Sequence, residues 1–85
     1  MKIGVIHEIS DVEAFEEQGT ALLEDTPEGF MGHQFCPSTD GTVATCVWEA
    51  DSASELSEFI DTQLEGASEQ QYFEIEEEVG FGIPD

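Results

Sequence analysis

The sequence predicts an α+β domain in the order β-α-β-β-α-β, with one four-stranded antiparallel sheet and both helices on one face. Three observations carry this. Period-two apolar alternation marks four short strands. Apolar residues three and four apart mark two helices, and a Ser-x-x-Glu signature precedes each of them. Eighty-five residues make one domain, and no linker or low-complexity segment interrupts residues 1–85.

The first strand runs from Lys2 to Ile9, with Ile3, Val5, His7 and Ile9 on one face and Gly4 and Ile6 on the other. Ser10-Asp11-Val12-Glu13 then has capping-box form, with Ser10 at the N-cap. The helix after it places Val12, Phe15, Gly19, Leu22 and Leu23 on one stripe and ends at Thr26-Pro27-Glu28-Gly29. Phe30–Cys36 is the second strand, and Thr42–Ala50 is the third. The opening pattern recurs at Ser52-Ala53-Ser54-Glu55, ahead of a helix that buries Ala53, Leu56, Phe59, Ile60 and Leu64 and stops at Gly66. Gln71–Glu76 is the fourth strand, with Phe73 and Ile75 on one face and Tyr72 on the other.

Two strand-helix-strand units with right-handed crossovers give the ferredoxin-like split βαβ arrangement. Such a sheet leaves one face without helices. Each strand has apolar residues facing both ways, as in Val5 and Ile6, Val47 and Trp48, or Tyr72 and Phe73. A monomer would expose half of them, so a homodimer with the sheets face to face is expected. Val79, Phe81 and Ile83 alternate with Gly80 and Gly82 and predict an extended C-terminal arm over residues 79–85.

Charge bounds the function. Twenty-one Asp and Glu face a single basic residue, Lys2, and the net charge is −20. No basic patch exists to neutralise phosphates or anionic lipid, which excludes direct nucleic-acid binding and membrane-surface binding. No run approaches the roughly 20 apolar residues of a membrane span, and a cytoplasmic location is expected. The acids are spread along the chain among 39% hydrophobic residues, so a folded domain with a carboxylate coat fits better than a disordered tail. That composition resembles halophilic cytosolic proteins, in which molar salt shortens the screening length to roughly 3 Å.

Candidate site residues are few. The imidazoles His7 and His33 are candidate ligand-binding groups or weak metal ligands, although each is more simply a histidine satisfied by nearby backbone or carboxylate. If the barrel has a cavity, Trp48 with either Tyr72 or Phe35 would line it and suit small aromatic molecules; Trp48 alone is most simply a core or dimer-interface aromatic. Cys36 and Cys46 lack zinc-site spacing, and no cofactor motif occurs. The hairpin register decides whether the two cysteines meet. A three-residue loop at Asp40–Thr42 sets Cys36 opposite Cys46, whereas a two-residue Asp40-Gly41 turn pairs Cys36 with Thr45. In a reducing compartment both are expected as free, buried thiols that pack as small hydrophobes, and a reactive cysteine would need a basic neighbour. The carboxylates of Glu74, Glu76, Glu77 and Glu78 lack calcium-loop spacing and read as a solvated edge.

As a whole the chain resembles the dimeric α+β barrel superfamily, which includes antibiotic-biosynthesis-type monooxygenases and stress-responsive barrels. Asp40-Gly41 through Cys46-Val47-Trp48-Glu49-Ala50 is similar to the hairpin of small nickel-binding-like bacterial proteins; no metal ligand of theirs maps onto this chain. The resemblance implies a homodimeric barrel that binds a small molecule without a cofactor. The rival readings are a cofactor-independent monooxygenase-type enzyme, a nickel-type metal-binding protein using His7 or His33, and, last, an acidic mimic of nucleic acid.

Overall fold

The computed structural model describes residues 1–84. The strands are β1 (Lys2–Ile9), β2 (Met31–Pro37), β3 (Val43–Glu49) and β4 (Ser68–Glu74), and the helices are α1 (Val12–Glu24) and α2 (Ala53–Gln63). All neighbours in the sheet are antiparallel, in the order β2-β3-β1-β4. This is the ferredoxin-like α+β fold that the element order predicts. No helix among the described residues is long and apolar enough to cross a membrane.

The helix side of the sheet carries the core. Ile3, Val5, His7 and Ile9 of β1 are all buried, beside Ala44, Cys46 and Trp48 of β3. Leu56 and Ile60 of α2 are essentially sealed from solvent, and Leu64 and Ala67 extend the same contact. Burying each such aliphatic chain contributes about 1.5–3 kcal/mol. From α1 only Phe15 and Leu22 are buried; Leu23, expected on the same stripe, is exposed.

Two local expectations shift. The cap of α1 is Asp11, not Ser10: its carboxylate accepts from the Ala14 amide at 3.0 Å. Ser10 instead donates its hydroxyl and its amide to the Ala67 carbonyl, which ties the end of β1 to the start of β4. Asp and Ser cap equally well, so the tertiary tie decides which is used. Ser52 does cap α2, accepting from the Glu55 amide at 3.1 Å. β4 begins three residues earlier than its apolar pattern indicates, because Ser68, Glu69 and Gln70 pair with Ile9, Glu8 and His7 of β1. Pairing with a central strand overrides their weak strand propensity.

The β2–β3 hairpin takes the Asp40-Gly41 register, with Cys36 opposite Thr45. The Asp40 carboxylate holds the turn, accepting from the Thr42 amide, the Thr42 hydroxyl and the Ser38 hydroxyl at 2.8–3.0 Å. The two free cysteines therefore part: Cys46 is buried on the helix side, whereas Cys36, also expected to be buried, is exposed because this register turns it to the other face. A bulge between Gly32 and Gln34 leaves His33 out of the ladder.

The helix-free face presents Ile6 and Val47 half-buried, with Phe73 half exposed. The Phe73 ring lies over Gly4, at a spot any Cβ would occupy. Lys2 at this edge meets Glu49 at 3.4 Å and Glu77 at 3.5 Å. Beyond β4 the chain turns instead of extending. The Gly80 amide bonds the Glu76 carbonyl, and Val79 and Phe81 stand fully in solvent, 82% and 102% exposed. Asp85, the end of the expected 79–85 arm, lies outside the described residues.

Candidate functional site

The two helices cover the sheet unequally. Between α1 and the β2–β3 side is a cleft of about 600 Å³ with largely apolar walls. Phe15 and Leu22 of α1 form one wall, and Phe35 and Gly32 of β2 form the other. Trp48 of β3 and Ile60 and Leu64 of α2 complete the lining. Phe35 stacks on Phe15 at 6.2 Å between ring centres, so the mouth is partly aromatic. Gly19 lies in the middle of α1 beside the opening, and a Cβ built there meets nothing within 4 Å. Two further hollows are grooves lined mostly by carboxylates and amides, around Asp61, Glu65 and Glu69 and around Asp51, Glu55 and Glu58.

The floor of the apolar cleft is polar. His7 of β1 is 2% exposed, and its Nε2 lies 3.0 Å from the Cys46 thiol. Its Nδ1 lies 3.1 Å from Oε1 of Gln70 on β4. The amide of Gln70 is oriented by its other end, which donates to Asp61 of α2 at 2.8 Å. Gln70 Oε1 also receives the Ser68 hydroxyl. This network assigns the tautomer: Nδ1 carries the proton and donates to Gln70, and Nε2 accepts from the thiol. The register explains the meeting. His7 pairs across with Ala44, and Val5 with Cys46, so the imidazole and thiol are diagonal neighbours on one face.

Burial sets the charge states. Desolvation lowers the His7 pKa below its ordinary 6.5, despite the Gln70 hydrogen bond and the Asp61 charge acting the other way. The Cys46 thiol is pushed up to about 12, again mainly by desolvation. Thiol and imidazole therefore meet as a neutral pair near pH 7. The Phe15 ring stands edge-on to His7 at 5.3 Å and fixes its plane.

Of the residues singled out from sequence, His7, His33 and Trp48 all line this cleft. His33 contributes at the bulge, while its Nε2 reaches Glu49 at 3.3 Å. That contact, with Lys2 second, lowers the Glu49 pKa. Tyr72 does not join them. It lies on the far side of β1, where its hydroxyl donates to Asp61 at 2.6 Å. Burial first, and Asp61 second, raise its pKa. Phe35, the alternative to Tyr72, lines the cleft. Phe15, Gly19 and Cys46 are cleft residues that the sequence showed only as core positions. For Cys46 the signal lay in long-range strand pairing, and for Phe15 and Gly19 in how α1 lies on the sheet, neither of which a local pattern encodes. Among the described residues, no three His, Cys, Asp or Glu side chains come together to hold a metal ion.

No curated protein and no solved structure matches the chain. Residues 5–83 match the family described as Domain of unknown function (DUF8652), and the chain belongs to it.

Proposed function

We propose that the domain binds a small, uncharged, largely apolar molecule in the cleft between α1 and β2. One observation carries this reading: an apolar opening of about 600 Å³ that ends on a buried, hydrogen-bonded His7–Cys46 pair. Apolar walls with a few fixed polar groups are the usual make-up of a small-molecule site. Charge narrows the ligand. The chain carries −20, and its only Lys sits on the other face with Glu49 and Glu77, so an anion finds no partner in the cleft. Trp48, the single tryptophan, lines the cleft and reports on occupancy. Titrating 4-phenyl-2-butanone, an uncharged aromatic ketone, should change Trp48 fluorescence saturably, and Gly19→Phe should abolish the change by filling the opening. A titration with no saturable change, or one equal in the Gly19→Phe variant, contradicts the reading.

The helix-free face supports a homodimer, as expected for a dimeric α+β barrel. Ile6, Val47 and Phe73 form an apolar strip with no helix over it, and Met31 and Val43 add exposed apolar surface at its margin. Sedimentation in multimolar KCl, where mutual repulsion is screened, should give a dimer; a monomer at micromolar concentration contradicts it. The free, exposed Cys36 fits a reducing compartment, and so a cytoplasmic location.

A second reading, a cofactor-independent monooxygenase-type enzyme, draws on the convergence of His7, His33 and Trp48 in one cleft. Its test is oxygen uptake on adding an electron-rich phenol, which a pure binding domain does not support.

A further inference from the structure

We propose that Cys46 is a nucleophile and His7 its general base, together forming a covalent capture site for uncharged α,β-unsaturated carbonyl compounds. The inference rests on the cleft being a ligand site and adds a reaction to it.

Three features of geometry support it. Nucleophile and base lie within hydrogen-bond reach, with Sγ 3.0 Å from Nε2. The base is oriented in turn by Gln70 at 3.1 Å, and Gln70 by Asp61 at 2.8 Å. Nucleophile, base and orienting group in sequence are the signature of an activated side chain. The pair also forms the floor of the cleft, so a bound molecule meets the sulfur directly. The exposed Cys36 has none of this; it sits on the opposite face.

The substrate class follows from what surrounds the pair. No Lys or Arg is present to stabilise an oxyanion next to the sulfur, since Lys2 is the only one in the chain and is engaged elsewhere. This disfavours acyl transfer, in which charge develops on an oxygen bonded to the attacked carbon. Conjugate addition places the developing charge on a carbonyl oxygen two atoms further out, toward the mouth and water. Phe15, Phe35 and Trp48 match a flat conjugated molecule.

The step balances without an oxidant or reductant. The thiol proton passes to Nε2 of His7 while sulfur bonds the β-carbon. The C=C pair moves to the α-carbon and carbonyl oxygen as an enolate. The imidazolium then returns the proton to the α-carbon. The net change is addition of S–H across C=C, which leaves His7 neutral again. A thiol pushed up to about 12 by burial has almost no free thiolate at pH 7, so transfer to His7 must accompany attack.

That requirement gives a distinctive pH profile. The groups facing the pair are Glu16 on α1, His33 on β2, Asp61 on α2 and, beyond Asp61, Tyr72 on β4. Once His7 is neutral the rate should be level, whereas a thiol raised to about 12 and attacking without a base keeps gaining reactivity all the way from pH 7 to 9.

The test uses the full chain with Cys36→Ser, so that Cys46 is the only thiol, and benzalacetone as the uncharged aromatic enone. Mass spectrometry follows the adduct at Cys46. The expected results are a rate that is level from pH 7 to 9 and a fall of at least about 100-fold in Cys36→Ser/His7→Gln, checked for folding by circular dichroism. A rate that climbs tenfold per pH unit through that range overturns the proposal even if the His7 variant does not fold. So does a rate unchanged by His7→Gln, or no adduct at all. Reversible binding of 4-phenyl-2-butanone, which lacks the C=C, separates the two readings. Saturable binding without enone adduct sinks only the nucleophile; absence of both sinks the ligand site as well.

Discussion

The two strand-helix-strand halves begin alike and finish differently. Counted from their caps, Asp11 and Ser52, Phe15 of α1 corresponds to Leu56 of α2, and Gly19 corresponds to Ile60. In the second half Leu56 and Ile60 are both sealed against the sheet, and Asp61 clamps Gln70 and Tyr72 of β4. In the first half the position matching Ile60 has no side chain, and a cleft of about 600 Å³ stands there. The helices differ elsewhere too, Gln18 standing where α2 has Phe59, but the opening lies beside the position where glycine matches the sealed Ile60. A glycine inside a helix costs about 0.5–1 kcal/mol relative to alanine, and no close contact at Gly19 requires it.

Emptying the closed half is the harshest way to break this contrast. Ile60→Ala should cost about 2–5 kcal/mol, since a sealed side chain is removed from a site that α2 and the sheet hold rigid. Urea unfolding in high salt measures it. A loss below about 1 kcal/mol would mean that the second half is as loosely filled as the first.

His7 joins the halves, reaching Cys46 on one side and Gln70 on the other. Its pKa is lower folded than unfolded, so below pH 6.5 the unfolded chain binds the extra proton first. The stability this group contributes is complete above pH 6.5 and drains away as pH falls toward the lowered folded value. His7→Gln should lose about 1–3 kcal/mol at pH 7 from the broken buried network. It should also remove the acid-sensitive component, seen as a smaller drop in melting temperature between pH 7 and 5.5 than in the parent. Carboxylate protonation acts on both proteins alike and cancels in the comparison. An identical pH dependence would place no titration at His7.

Smaller effects sharpen the same picture. Tyr72→Phe removes one bond to Asp61 but leaves the Gln70 bond, and should cost about 0.5–1.5 kcal/mol by thermal melting. Gly19→Ala should do the reverse and stabilise by about 0.5–1 kcal/mol, because the added methyl meets nothing. Destabilisation by Gly19→Ala would show that the first half has no room to spare.

How far the sequence discloses these halves can be argued residue by residue. The faces of β1 are legible because Ile3, Val5, His7 and Ile9 alternate without interruption. Both helices are legible from their caps and stripes, although Asp11 and not Ser10 closes the first. The start of β4 is hidden because Ser68, Glu69 and Gln70 are polar and owe their conformation to β1. Gly19 shows the same difficulty in reverse. It sits on the apolar stripe of α1, so a periodicity argument counts it as core, while its missing side chain becomes visible as an opening only when α1 is laid on the sheet. The meeting of His7 and Cys46 depends on pairing between residues 39 positions apart, and Tyr72, on the same sheet face as Trp48, is separated from it by β1 for the same non-local reason.

The most direct test is a heteronuclear NMR titration with 4-phenyl-2-butanone, read at both halves of one molecule. The asymmetry predicts saturable shifts at Phe15, Gly19, Leu22, Phe35 and the Trp48 indole, while Glu69, Gln71 and Phe73 on the closed half stay unmoved. Shifts spread equally over α1–β2 and α2–β4, or none at α1, would contradict it.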